Sequence, residues 1–493
     1  LLIKSSDFII KPLTYLINLS CSAGIFPTEL KTNKVVPIFK KSDKTNIENY
    51  RPVAIGNSFS KIFEYCMLER LLKYMDKYCI LDDGQHGFRP SRSTDTAIYG
   101  VHGKILSCLD AGECPVGIFC DLSRAFDCVN HNLLLSKLER YGIRGEILKW
   151  FASFLESRRQ YVELEYKINS CKRAFKSSCV NIDIGVYQGS ILGPVLFLLY
   201  INDLPMHLKE YFLCMYADDT SVIVDGSKET IESKCNELVR DLKLWFDNNL
   251  LHLNISKTGF VHFHSQQHTN VQHIDINVDD KTLCEWKCTK FLGLNFDENL
   301  SWKPHSERLI SKLNSVCYQI RILRPVIGLE SLLSFYYAQV ESRLVYGISF
   351  WGSGSMLGDI FIAQKRVLRC MAGVDNRTSC RNIFLRFNVL TVYGLYMLKI
   401  LDFVHSNISD INKNSDYHSY NTRHRNDISI PTHRLSKVNK TYKIYGLKLH
   451  NSLPTEIKVI KDPTIFKKKI KRALLRMCPY TLDDSLVSLA SYF

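Results

Sequence analysis

The stretch YFLCMYADDTSVIVDG, residues 211 to 226, sets two adjacent carboxylates, Asp218 and Asp219, between apolar runs that read as the strands of a tight hairpin. Aspartate is common in turns, where its side chain bonds nearby backbone and tolerates unusual dihedrals, so the pair alone need do no more than close the hairpin. A third carboxylate widens the possibilities. The run VGIFCDL reads as a buried strand ending at Asp121, and a fold that gathers Asp121 with Asp218 and Asp219 brings together like charges that repel unless cations neutralise them. Magnesium suits such a site, because it prefers oxygen ligands, keeps several waters and is held by one or two carboxylates together with substrate phosphates. Two such ions about 3.5 to 4 Å apart can activate an attacking hydroxyl and stabilise the leaving oxygen of a phosphoryl transfer. That is polymerase or nuclease chemistry, with manganese as the alternative ion.

Composition bears on the partner. Lysine and arginine total 64 against 49 acidic residues, a formal charge of +15 over 493 residues, which favours a polyanion such as nucleic acid or an acidic membrane surface. The length suggests about three domains. The seventeen cysteines are scattered without a framework spacing, the pattern of reduced thiols in an intracellular protein. Cys284 and Cys288 form a lone C-x-x-x-C on an apparent strand, and no second pair completes four zinc ligands. The apolar run ILGPVLFLLYI, 191 to 201, is too short for a spanning helix and reads as a buried core element. The N-terminal LLIKSSDFIIKPLTYLINLSCSAG is broken by Lys4, Asp7 and Lys11, unlike a signal peptide, and does not start with Met. We therefore expect the chain to be a fragment of a longer protein.

The elements around the carboxylates follow from periodicity. Phe59, Ile62, Phe63, Cys66, Met67, Leu71 and Met75 recur at three- and four-residue spacing and predict a helix from Phe59 to Met75. LDDGQHGFRPSRST reads as a loop. After the strand that ends at Asp121 comes a helix that Asn130 can cap and Gly142 can close. Ile231, Cys235, Leu238, Leu242 and Trp245 line one face of a helix within 228–250. Paired strands with covering helices predict an α+β fold rather than a regular βαβ winding. Beyond about residue 300 the pattern is mainly helical, and from about 376 it turns polar and basic, with HSYNTRHRND as an exposed link. A last amphipathic helix after Asp462 and Pro463 carries Lys467, Lys468, Lys469, Lys471, Arg472 and Arg476 with no acid between them. Such a run is either a solvated face or a nucleic-acid contact.

At this point the motifs reach a known family. FCDLSRAFD (119–127), QGSILGPVLFLLYINDLP (188–205), YADD (216–219), LNISKT (253–258) and FLGLNFDENLSWKPH (291–305) stand in the order used by reverse transcriptases. The set resembles non-LTR retrotransposon enzymes, particularly the jockey-like group of animals. VVPIFKKSDKTNIENYRPVAIGNSFSKIFE and HGFRPSRST look like its fingers segments, while SRLVYGISFWG, YNTRHRND and LHNSLPTEIK resemble its thumb and C-terminal region.

The resemblance implies a right-hand polymerase: an N-terminal extension over 1–32, fingers and palm over 33–296, a helical thumb over 297–375 and a basic C-terminal region over 376–493. It implies an RNA-directed DNA polymerase that takes an RNA template, a DNA primer or target, deoxynucleoside triphosphates and two magnesium ions, with no membrane partner. It also implies a nuclear protein with a cytoplasmic ribonucleoprotein stage. Carried over residue by residue, Asp121 and Asp218 hold the metal pair and Asp219 completes the acidic site. Phe126 matches the steric gate against a 2′-hydroxyl, its alternative being an ordinary core residue. Gln188 and Gly189 match the nucleotide pocket; Arg51 and Lys40 match fingers residues facing the triphosphate; Arg89 would steady the template backbone. Lys257 is either the proton donor to pyrophosphate or an exposed turn lysine.

Two departures stand out. Tyr187 replaces the proline that the family usually carries before QGS, and tyrosine does not fix the backbone dihedral as proline does. The chain also begins where the fingers begin, so we expect it to lack the endonuclease that precedes them in jockey-like proteins, and no RNase H motif set is evident. A decayed or co-opted remnant that binds RNA without catalysis is thus a competing reading. An intron-encoded maturase or a telomerase-like enzyme shares the palm but not the C-terminal segments.

Overall fold

A computed structural model describes residues 6–41, 43–168, 171–267, 272–417, 420, 424–435, 437–482 and 489–493. Part of the expected HSYNTRHRND link, residues 418–419 and 421–423, lies outside these. The chain divides into two compact units. The first comprises Leu1–Lys104, Val116–Phe260 and Gln272–Glu285; the second comprises Ile105–Pro115, Val261–Val271 and Trp286–Phe493.

The first unit is mixed α and β. One sheet contains β1 (Thr32–Phe39) and β2 (Tyr50–Ile55), an antiparallel pair registered from Lys34↔Ile55 to Phe39↔Tyr50. It continues through β4 (Arg158–Ile168), which runs parallel to β1 and carries β5 (Cys171–Lys176) and β6 (Val180–Ile182). A second sheet has the order β10–β9–β3–β8–β7, made from Cys284–Glu285, Gly259–His262, β3 (Val116–Cys120), β8 (Asp219–Val224) and β7 (Phe212–Tyr216). All five residues of β3 are buried, as are the last five of β8. Strands covered on both faces read as continuous apolar runs, which is why VGIFC and SVIV show no alternation.

Helices α1 (Ser58–Lys77), α2 (His131–Arg140), α3 (Gly193–Ile201) and α4 (Ile231–Asn248) pack around that core. The Asn130 side chain accepts the Leu133 N–H at 3.0 Å, and Gly142 sits at φ +91° just past the end of α2, the two signals that predict its ends. Within ILGPVLFLLYI, residues 193–201 form α3, buried at every position except the half-buried Pro194. Lys137 on α2 is buried yet satisfied: its Nζ donates to the Tyr200 carbonyl at 2.6 Å, Asn249 Oδ1 at 2.6 Å and Asp203 Oδ1 at 2.8 Å.

The buried face of α1 differs from the expectation at two positions. Phe59 is 40% exposed, whereas Glu64 is fully buried with Ser60, Phe63, Met67, Leu71 and Met75. Apolar periodicity assigns a phenylalanine inward and a glutamate outward, and here hydrogen bonding overrides it. Cys284 and Cys288 also fall on two separate strands rather than one, and both are exposed free thiols.

From Trp286 onward the second unit begins with the hairpin of β11 (Cys288–Phe291) and β12 (Leu294–Asp297) and then continues mainly as helices. The Asp297 carboxylate turns the chain by accepting the N–H groups of Ser301 at 2.8 Å and Trp302 at 2.9 Å. Helix α5 (Lys303–Leu323) then packs on α6 (Leu357–Ala372), and α7 (Val392–Ser406) packs on α8 (Tyr442–Asn451) and α9 (Pro463–Met477). Asp462 caps α9 through the N–H groups of Thr464 and Ile465. Among the described residues no single helix is long and apolar enough to cross a membrane.

Candidate active site

Strand register brings the three carboxylates together. In the β3–β8 pair Cys120 stands opposite Thr220, so one step outward along an antiparallel ladder sets Asp121 opposite Asp219. The β7–β8 hairpin closes with Tyr216 opposite Asp219, leaving Ala217 and Asp218 as its two-residue loop. Two-residue hairpins favour positive φ at the loop, and Ala217 adopts +55°, a conformation costly for a residue with a Cβ.

What holds that turn is the preceding loop. Gly84 accepts the Met215 N–H at 2.8 Å, and His86 donates its N–H to the Met215 carbonyl at 2.8 Å. Between them the buried Gln85 side chain accepts the N–H groups of Gly87 at 2.8 Å and Ala217 at 3.2 Å. A Cβ at Gly87 would lie 2.5 Å from the Ala217 nitrogen, so only glycine lets the two loops approach this closely. Gln85 and Gly87 sit inside a segment that reads simply as a loop; the closeness of HGF to YADD, over 130 residues downstream, has no local signal.

The other strand end is tied to LNISKT. Asp121 donates its N–H to Thr258 Oγ1 at 3.2 Å and accepts the Asn254 N–H at 2.8 Å. The same loop carries Lys257, whose Nζ stands 3.5 Å from Asp121 Oδ2 with its side chain 64% exposed. Burial raises the Asp218 carboxyl above its ordinary range; the charge of Asp121 adds to this, while Arg51 and Lys40 oppose it. Asp219 is exposed as a residue, yet partial burial of its carboxyl, then the charges of Asp218 and Asp121, push it up to about 6.

The first unit holds a cleft of about 1100 Å³. Asp121, Asp218 and Lys257 line it together with the exposed cations Lys40 and Arg51 from the β1–β2 hairpin. Phe126 also lines it, half-buried, with its ring stacked on the core residue Phe197 at 4.5 Å between centroids. Gln188 reaches the cleft and hydrogen-bonds with Asp127, whose carboxyl is raised chiefly by burial. Gly189 lies behind it at φ +128°, where a Cβ would stand 2.1 Å from the Ala54 carbonyl oxygen.

Asp219 and Arg89 are not among the cleft-lining residues. Arg89 turns back onto its own loop, where Nη1 donates to the Asp82 carbonyl at 2.7 Å and Nη2 stands 3.7 Å from Asp83. Asp127, the last residue of FCDLSRAFD, carries no signal of its own beyond its place in that motif. Clustered oxygen ligands at one end of the cleft, with cations and an aromatic edge on its lining, can bind a metal-bound polyphosphate and act on it.

Residues 38–296 match the family model described as reverse transcriptase (RNA-dependent DNA polymerase). The RNA-directed DNA polymerase from mobile element jockey of Drosophila melanogaster is 27% identical over 385 residues, covering 75% of this chain and 41% of that protein. The probable RNA-directed DNA polymerase from transposon BS of the same organism is 28% identical over 374 residues, covering 70% and 39%. A solved structure of apo telomerase from Candida tropicalis aligns at 12% identity and a TM-score of 0.41, covering 82% of this chain and 71% of that one. The chain thus spans about two fifths of the length of these curated relatives. With its match running across more than half of the sequence, the chain belongs to the reverse transcriptase (RNA-dependent DNA polymerase) family.

Proposed function

We propose that the chain is an RNA-directed DNA polymerase of a non-LTR retrotransposon, extending a DNA 3′ end on an RNA template with deoxynucleoside triphosphates. The observation that carries this reading is one cleft lined by Asp121, Asp218, Lys40, Arg51, Phe126 and Gln188. The reading assigns 33–296 to fingers and palm, 297–375 to the thumb and 376–493 to a basic C-terminal region, after an extension over 1–32. It carries with it work on nuclear DNA after a cytoplasmic ribonucleoprotein stage.

The acidic donors fit a hard divalent cation: all are oxygens, and Asp218 is raised by burial and the charge of Asp121, Asp219 by burial and the charges of Asp218 and Asp121. Asp121 and Asp218 would hold two magnesium ions, or manganese in their place, with Asp219 completing the site. When bound, such ions supply Lewis-acid activation of the attacking hydroxyl and neutralise charge on the leaving oxygen. The chain's own side chains do the rest. Arg51 offers a fork of donors that pairs with phosphate oxygens, and Lys40 adds a point charge. Phe126 fills the space that a 2′-hydroxyl would need, while Gln188 can bond to sugar or base and Gly189 lets backbone come close. Lys257 protonates the leaving pyrophosphate, and Arg89 steadies the template from the loop beside Asp83.

Asp218→Asn and Asp121→Asn should each abolish extension of a DNA primer on an RNA template with magnesium while leaving RNA affinity intact. A turn role alone predicts that Asn serves nearly as well at position 218. Tyr187 in place of proline is the observation that favours the remnant reading, and a wild type that binds RNA yet never extends a primer would establish it.

A further inference from the structure

Resting on the polymerase reading, we infer that the buried Glu64 carboxylate and the Tyr187 hydroxyl form a latch that positions Gln188 and Gly189 for the incoming nucleotide, replacing the dihedral restraint of a proline.

The latch is built on both sides of the pocket residues. Tyr187 donates its hydroxyl to Glu64 Oε1 at 2.5 Å. Ser190 donates to Oε2 at 2.5 Å, and the Ile191 N–H reaches the same oxygen at 2.8 Å. Ser60 supplies a further donor to Oε1 at 3.0 Å. With the Leu192 N–H at 3.4 Å from Oε2, five donors are shared between the two carboxyl oxygens. Tyr187 and Ser190 are also the ends of one turn: the Ser190 N–H donates to the Tyr187 carbonyl at 3.2 Å, with Gly189 at positive φ inside it. A single buried side chain on α1 therefore clamps both ends of the turn whose middle is Gln188–Gly189.

Two further contacts fix the direction in which that middle points. The Gln188 carbonyl accepts the Ala54 N–H at 2.7 Å, which ties the turn to β2. The buried Arg158 guanidinium lies 4.0 Å above the Tyr187 ring and 4.6 Å from the Phe154 ring. Cation–π stacking holds the ring, and its positive charge faces the Glu64–Tyr187 pair. Removing the hydroxyl leaves ring packing and the Arg158 stack in place but frees one end of the turn. Glu64 and Tyr187 touch neither nucleotide nor metal in this reading; they are positioning residues.

The test is Tyr187→Phe, compared with wild type in primer extension at varied deoxynucleotide concentration, together with melting temperature and primer-template affinity. The nucleotide KM should rise about tenfold, the scale of one hydrogen bond to a charged acceptor, with kcat within about twofold and primer-template affinity unchanged. Glu64→Gln should raise KM more than Tyr187→Phe does, because it disturbs both ends of the turn, and the double variant should fall short of the sum of the two, the non-additivity expected of a coupled pair. An unchanged KM in Tyr187→Phe, or a loss confined to melting temperature and kcat, overturns the latch while leaving the polymerase standing. A wild type that extends no primer overturns the polymerase reading itself, and the latch with it.

Discussion

Replacing Asp219 with Asn should stabilise the protein without metal and remove much of its response to magnesium. The folded state holds the Asp219 carboxyl up at about 6, against an ordinary value of 3.8. Between those two values the folded chain keeps a proton that the unfolded chain releases, so the stability linked to this group is present at low pH and is lost as pH rises through about 6. The difference corresponds to about 3 kcal/mol between neutral and charged forms. Because Asp219 is exposed as a residue, solvent screening reduces that to about 1 kcal/mol. Asn keeps the size and drops the charge, so at pH 7.5 the metal-free variant should melt about 2 °C above wild type, as a change of this size does in a unit of a few hundred residues. Near pH 4 the two should coincide. Magnesium should raise the wild-type melting temperature at pH 7.5 by binding the folded state, raise it less at pH 5.5 where protons compete, and raise the variant less at either pH. The assay is a melting series over pH 4 to 8 with and without magnesium. A variant that melts lower than metal-free wild type at pH 7.5, or that responds to magnesium as fully as wild type, refutes the reasoning.

Phe126→Val should admit ribonucleotides while preserving deoxynucleotide use, because the ring faces the cleft on one side and Phe197 on the other; loss of both activities with a lowered melting temperature would make Phe126 a core residue only. On α9, Lys467 is already paired with Asp402 at 2.7 Å, so the informative substitutions are at the exposed Lys468, Lys469 and Arg472. Replacing these three with Ala should flatten the dependence of primer-template affinity on salt by about 0.9 in log K against log salt for each phosphate that the helix neutralises, and an unchanged slope would make the helix face a solvated one.

How much of this was legible in the sequence depends on the range of the interaction. The position of Asp121 at a strand end, the YADD hairpin and the caps at Asn130 and Asp462 follow from local rules: alternating or continuous apolar runs, a short polar break, and a side chain that accepts a nearby N–H. The clamp of Gln85 and Gly87 on the Ala217 turn joins segments about 130 residues apart, and nothing near Gln85 marks it as different from other loop residues. Glu64 was hidden for another reason. Hydrophobic periodicity treats a glutamate on an apolar face as an exposed position, and only the donors from Tyr187, Ser190 and Ile191 reverse that assignment. A lone acid among inward positions 60, 63, 67 and 71 of α1 is the one signal that could have drawn attention to it.

The same contrast explains how a chain of net charge +15 tolerates a cluster of carboxylates that its own cations barely neutralise. Lys257 stands 3.5 Å from Asp121, while Arg51 and Lys40 lower the Asp218 carboxyl less than burial raises it. The repulsion that remains is set against a sheet whose strands β3 and β8 are almost wholly buried and registered over five residue pairs. Slipping that register by one residue would turn Ile118, Val222 and their neighbours to the opposite faces, so the ladder cannot move to relieve the charges at its end. Neutralisation must then come from outside the chain. Rigid elements beneath, uncompensated oxygen ligands above and cations on the same cleft lining leave an electrostatic imbalance that, on the polymerase reading proposed above, a metal-bound triphosphate would complete.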